Sequence, residues 1–157
     1  MNFMIRILLF TLLFSTSVFA AATKSNDDTS ASASDQIKNL YDKAYDLVYA
    51  KDFDKSLKLL KKIAKRNDLG EMKADVYNLL GFSYRKNDNP DLDKAFESYQ
   101  IALEADPKHA GAHEYLGELY IKMGKKSMAE EMLAKLETIA GTDSDEYKKL
   151  KKAITNS

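Results

Sequence analysis

Two histidines four residues apart, His109 and His113, with Glu114 and Glu118 close behind, come nearest to a chemical constellation in this chain. On a helix, an i, i+4 pair sets two imidazoles on one face, a spacing that can hold zinc. His113-Glu114 is not followed by the second histidine of a zinc-protease helix. The chain has no cysteine, which excludes thiolate ligands, thiol nucleophiles and disulfides. It also offers no Ser-His-Asp set, no glycine-rich phosphate loop and no pair of carboxylates in an apolar setting.

Aromatic residues are more informative. Tyr41, Tyr45 and Tyr49 recur at i, i+4 and i+8, which makes one stripe along a helix. Leu40, Ala44, Leu47 and Val48 already supply a core face for the same stretch, so the stripe is read as a recognition surface, with packing against the next helix as the alternative. Tyrosine is suited to recognition because it carries a large contact area with few torsions to freeze. The cations Lys55, Lys58, Lys61, Lys62, Lys65 and Arg66, and later Lys148, Lys149, Lys151 and Lys152, read as solvated helix faces. Formal net charge is zero, so no global field favours nucleic acid or an anionic membrane.

Helices must position these residues. Ile37, Leu40, Tyr41, Ala44, Tyr45, Leu47 and Val48 recur at spacings of three and four, which predicts an amphipathic helix over 36–50, with Ser34 or Asp35 as its N-cap. Lys51-Asp52-Phe53 takes the place of a turn, and a second helix covers 53–64. Gly70 is placed to end that unit in the left-handed conformation. Further helices are predicted near 71–86, 92–105, 109–123, 126–140 and 145–154, separated by Pro90, Asp106-Pro107, Gly124 and Gly141.

One pattern occurs twice within this series. Leu80-Gly81 is followed three residues later by Tyr84, and Leu116-Gly117 by Tyr120. Ala95, Tyr99 and Ala102 are matched by Ala129, Leu133 and Leu136. The glycines lie 36 residues apart (117 minus 81) and the alanines 34 (129 minus 95), so two residues are inserted around Asn87-Asp88-Asn89-Pro90. In these residues the chain resembles the tetratricopeptide repeat, a helix-turn-helix unit of about 34 residues. A degenerate first copy has Ala44 and Ser56 at the small positions held elsewhere by Gly81 and Ala95 or by Gly117 and Ala129. Small side chains there let helices A and B of a unit cross closely; Glu118, beside Gly117, faces the groove and should tolerate replacement.

The resemblance implies an all-α fold: antiparallel helix pairs stacked in a right-handed superhelix, with repeats near 37–70, 74–107 and 110–140 and a capping helix at 144–155. It implies a concave groove lined by the A helices, binding a protein or peptide partner, with no catalytic group and no cofactor. The groove residues taken over from it are Tyr41, Tyr45, Tyr49, Asn78, Phe82, Arg85, Tyr115 and Glu118. The carboxylate clamp of chaperone-binding relatives is not expected, because its positions hold Tyr41, Tyr45, Leu79, Gly111 and Tyr115. His113 falls where the repeat often has a large aromatic and His109 at the turn after Pro107, so both read as packing and capping residues rather than metal ligands.

The N-terminal stretch is a separate element. One cation before an apolar run from Ile7 to Phe14, then Ser15-Thr16-Ser17 and small residues to Ala22, reads as a signal peptide over 1–22, cleaved after Ala20 or Ala22. The run is short for a membrane span, and no cysteine is present for lipoprotein acylation. Such a signal suits bacterial export to the periplasm. A flexible linker is expected over 23–34, which holds no large apolar group, and the repeat domain over 35–157. The resulting expectation is a periplasmic adaptor without stable membrane insertion and without nucleic acid as partner. A homo-oligomer paired through the incomplete first repeat is the alternative.

Overall fold

A computed structural model describes residues 32–157. The signal peptide read over 1–22, and the linker as far as residue 31, lie outside the described residues. Those described form seven helices in chain order: α1 Ala33–Tyr49, α2 Phe53–Ala64, α3 Met72–Lys86, α4 Leu92–Ala105, α5 Ala110–Lys122, α6 Lys126–Ala140 and α7 Asp145–Thr155. No strand occurs among them, and no helix there is long and apolar enough to cross a membrane.

The first helix begins earlier than Ser34 or Asp35. Its N-cap is Ser32, whose hydroxyl accepts from the Asp35 N–H while the Asp35 carboxylate accepts from the Ser32 N–H at 3.2 Å. This reciprocal arrangement satisfies two amide donors that would otherwise lack partners. Residues 32–34, expected in the linker, therefore form the first turn and its cap. Asp52, Asp91 and Ser144 cap α2, α4 and α7, each side chain accepting the backbone N–H three residues on. His109, read as a capping residue, is the N-cap of α5, with the ring Nδ1 accepting from the Ala112 N–H at 3.1 Å.

Consecutive helices pair as α1 with α2, α3 with α4 and α5 with α6, and α1, α3 and α5 lie side by side. α7 packs on α5 and α6. Two apolar clusters result. Ile37, Leu57, Leu60, Ile63, Val76 and Leu80 anchor the first. Tyr99, Leu116, Leu119, Leu136, Leu150 and Ile154 anchor the second. Tyr84, only half-buried, packs against both and joins them.

The small positions do different jobs. In the first unit the Ser56 hydroxyl donates to the Ala44 carbonyl at 3.1 Å, a direct bond between α1 and α2 at their crossing. In the second, a methyl added at Gly81 would lie 2.7 Å from the Tyr99 ring of α4, so the expected close crossing of A and B helices holds there. At Gly117 a different helix sets the limit. The nearest atoms belong to Leu150 of α7, with Cδ2 only 2.5 Å from the position of an added Cβ. The last helix, rather than the partner within the repeat, occupies the space that this glycine leaves.

Candidate partner-binding groove

The A helices bring four of the expected groove residues to one cavity of about 520 Å³. Tyr45 and Tyr49 come from α1, Phe82 from α3 and Tyr115 from α5. Their convergence follows from the stacking. Tyr45 and Phe82 occupy equivalent positions, one residue after Ala44 and Gly81, and Tyr115 lies one turn earlier on α5, on the same face of the stacked A helices. Phe82 and Tyr115 touch, with ring centroids 4.9 Å apart and planes tilted by 51°. Phe53, at the start of α2, adds a third ring 6.4 Å from Phe82.

Exposure separates the members of the tyrosine stripe. Tyr49 is 86% exposed and Tyr45 52%, and these are the large hydrophobic residues left exposed among the described residues. Tyr41 instead sits half-buried against the first cluster, and burial, followed by the charge of Asp75, raises its phenol well above the ordinary value. It supports the groove from below. Burial likewise pushes Tyr115 up to about 12, so its hydroxyl stays protonated and can donate.

Arg85 and Glu118 do not present open polar groups. Arg85 is 5% exposed, its guanidinium 5.5 Å from the centroids of both Phe82 and Tyr115. Its Nη1 meets Glu118 at 2.7 Å and its Nε donates to the Tyr99 hydroxyl at 3.3 Å. The pair therefore fixes the two rings of the groove floor through cation–π contact. This corrects the expectation that Glu118 tolerates replacement, since removing it would leave a buried guanidinium without a counter-charge. Asn78 is half-buried beside Gly111, where an added Cβ would lie 3.2 Å from its Nδ2; the Asn78 Oδ1 is buried with no hydrogen-bond partner. It does not line the cavity.

Sequence reasoning assigned Lys51 and Phe53 to a turn, yet both line the cavity. An aromatic residue immediately after the turn, four residues before Leu57, was the available signal for Phe53.

Three of the four histidine ring nitrogens are hydrogen-bonded, and His113 Nδ1 is buried without a partner. Because His109 Nδ1 accepts a backbone N–H, its Nε2 carries the proton and donates to Asp75 Oδ1 at 3.1 Å, which raises the His109 pKa. His113 Nε2 donates to the Pro107 carbonyl at 2.9 Å, and burial lowers its pKa. Among the described residues no group of three or more His, Cys, Asp or Glu side chains is disposed to hold a metal ion.

Comparisons with known proteins agree with this architecture. Residues 88–154 match the tetratricopeptide repeat family. Protein bimA of Emericella nidulans is 34% identical over 83 residues, which is 53% of this chain but only 10% of that protein's length. Among solved structures, the Yersinia enterocolitica type III secretion chaperone SycD, in complex with a peptide of the translocator YopD, superposes with a TM-score of 0.63. Identity is 18% over 79% of this chain and 90% of that one. MamA gives 0.62 at 22% identity, covering 76% of this chain and 67% of MamA. The match at 88–154, the seven described helices and these structural relatives show an all-α helical-repeat solenoid fold.

Proposed function

We infer that this chain is a non-enzymatic adaptor, exported to the periplasm, which binds a peptide or helix of a partner protein in the groove between α1, α3 and α5. One observation carries the reading. The large apolar side chains left exposed among the described residues, Tyr45 and Tyr49, both stand at the mouth of the aromatic cavity. Rigid aromatic surface beside a preformed pocket is the usual form of a binding hot spot. The chaperone-peptide complex among the structural relatives supports a peptide as the class of occupant. Export is supported by the apolar run Ile7 to Phe14 and the small residues that follow it.

Paired melting and partner capture test the groove. Tyr45→Ala is expected to leave the melting midpoint nearly unchanged and to weaken partner binding by about 2 kcal/mol or more. Tyr99→Ala, at a wholly buried ring, is the unfolding control. A Tyr45→Ala protein that melts as early as Tyr99→Ala would place Tyr45 in the core and remove the groove reading. N-terminal sequencing of the product from the periplasmic fraction tests export. The expected start is close to Ala21, and a membrane-held product beginning at Met1 overturns it.

Self-pairing through α1 is the second reading, favoured by the same exposure of Tyr49. Sedimentation equilibrium separates the two, since a monomer leaves the tyrosines free for another partner.

A further inference from the structure

A lysine occupies a backbone conformation for which the third unit of the same chain uses glycine. The α1–α2 turn runs Ala50-Lys51-Asp52 and the α5–α6 turn Met123-Gly124-Lys125. Ala50 and Met123 end their helices, and the residue after each has positive φ, +60° at Lys51 and +72° at Gly124. Among the described residues Lys51 is the single non-glycine in that region. A left-handed backbone crowds Cβ against the following carbonyl oxygen, a contact glycine lacks, so lysine is the less stable choice at this turn. Strained residues of this kind cluster at ligand clamps.

The position of Lys51 gives that strain a use. Its exposed side chain lines the aromatic cavity, as does that of Lys86, whose Nζ lies 5.8 Å from the Phe82 ring centroid. No Asp or Glu lines the same cavity, and neither lysine forms an ion pair within the described residues. Most exposed lysines of the described residues share this lack of an ion pair; Lys38, Lys55 and Lys94 are exceptions, each paired with a neighbouring carboxylate on its own helix or its cap. Arg85, beneath the rings, is committed to Glu118. The groove therefore combines an aromatic floor with two ammonium groups that form no ion pair, Lys51 also bordering Asp52, Asp54 and Asp88 in the neighbouring pocket.

We propose that the groove selects a protein segment in which a large apolar side chain is flanked by aspartate or glutamate. The apolar group enters against Tyr45, Phe82 and Tyr115, and the flanking carboxylates meet Lys51 and Lys86. Basic segments are rejected by like charge, and wholly apolar ones leave both ammonium groups unpaired at the interface. This rests on the groove reading above and adds the charge of the partner to it.

Selection from a random peptide library displayed on phage tests the proposal, run in parallel on the purified chain, its Tyr45→Ala variant and a Lys51→Gly/Lys86→Gln double variant. Peptides selected on the parent are expected to place Asp or Glu beside Leu, Phe or Trp more often than the unselected library does. Measured by fluorescence anisotropy, their affinity should fall about tenfold on the double variant and weaken with added salt. Lys51→Gly alone should melt no lower than the parent, since it relieves the left-handed strain. Selected peptides with no excess of acids, or with equal affinity for the double variant, overturn the proposal while leaving the groove intact. Peptides that bind Tyr45→Ala as tightly as the parent instead overturn the groove itself, and the proposal with it.

Discussion

The two ends of the solenoid are finished differently. At the C-terminal end α7 lies over α5 and α6, buries Tyr147, Leu150 and Ile154, and fills the space beside Gly117 with a leucine. At the N-terminal end α1 has only Ile37 and Ala44 fully buried and leaves two tyrosines in solvent. Both helices are amphipathic and both flank a stack of repeats. One spends its apolar face on closure, whereas the other leaves part of that face exposed. Helical pattern alone does not distinguish the two uses; what each face meets does.

The largest expected effect lies at the closed end. Leu150→Ala should cost about 3 kcal/mol, measured by urea denaturation, because a fully buried leucine is lost and its cavity remains. Gly117→Ala should cost about 1–3 kcal/mol in the parent and close to nothing in the Leu150→Ala background, whose smaller side chain admits the methyl. Gly81→Ala, which meets Tyr99 instead, should show no such rescue by Leu150→Ala. An uncoupled Gly117–Leu150 cycle would break the comparison.

The floor between the two ends comes next. Glu118→Leu should destabilise by about 2 kcal/mol, below the range for a wholly buried pair because the Glu118 side chain is 25% exposed. Glu118→Gln, which keeps a hydrogen-bond acceptor for Arg85, should lose less. If the leucine variant melts with the parent, the pair does not hold the groove floor together.

Glu114 is expected to give a pH signature of the closed end. It is 3% exposed, and burial raises its carboxyl from an ordinary 4.5 to about 7, against the opposing charges of Lys149 and Arg85 and with the help of Glu118 and Glu146. The folded state therefore keeps a proton that the unfolded chain releases between these two values. Stability must fall as pH rises through that window, and the penalty is complete above the folded pKa. Glu114→Gln should exceed the parent by roughly 1–2 kcal/mol near pH 8 and converge with it below the ordinary carboxylate range. Titration of His109 and His113 is common to both proteins and cancels in the difference. Equal stability of the two proteins at all pH values would mean that Glu114 is solvated in solution.

The smallest effect belongs to the open end. Tyr49→Ala, at a residue 86% exposed, should change stability by no more than about 0.5 kcal/mol. A larger loss would make α1 a second closing helix and remove the contrast.

Most of the helical frame was legible because apolar spacing and turn residues report it directly. The bounds of α2, α4 and α6 coincide with those read from the periodicity. The start of α1 was misplaced because Ala33 and Ser34 carry no apolar signal, although Ser32 and Asp35 stand at capping-box spacing. The groove was legible in part. Register placed Tyr45, Phe82 and Tyr115 on successive A helices, and the structure brings them to one cavity. The Arg85–Glu118 pair was hidden because it joins side chains on different helices, which periodicity along one helix does not address. Gly117 announced that space was needed there, and only the three-dimensional arrangement names Leu150 as the occupant.

The outward residues of α7 carry a further consequence, one for assembly. Lys148, Lys149, Lys151 and Lys152 are all exposed on this terminal helix. Solenoids stack because each unit offers the next an apolar flank, and a cationic flank withholds it. Head-to-tail addition of a second copy, which would generate an open filament, meets this lysine face at every step. A second copy adding through this face would have to bury these four ammonium groups.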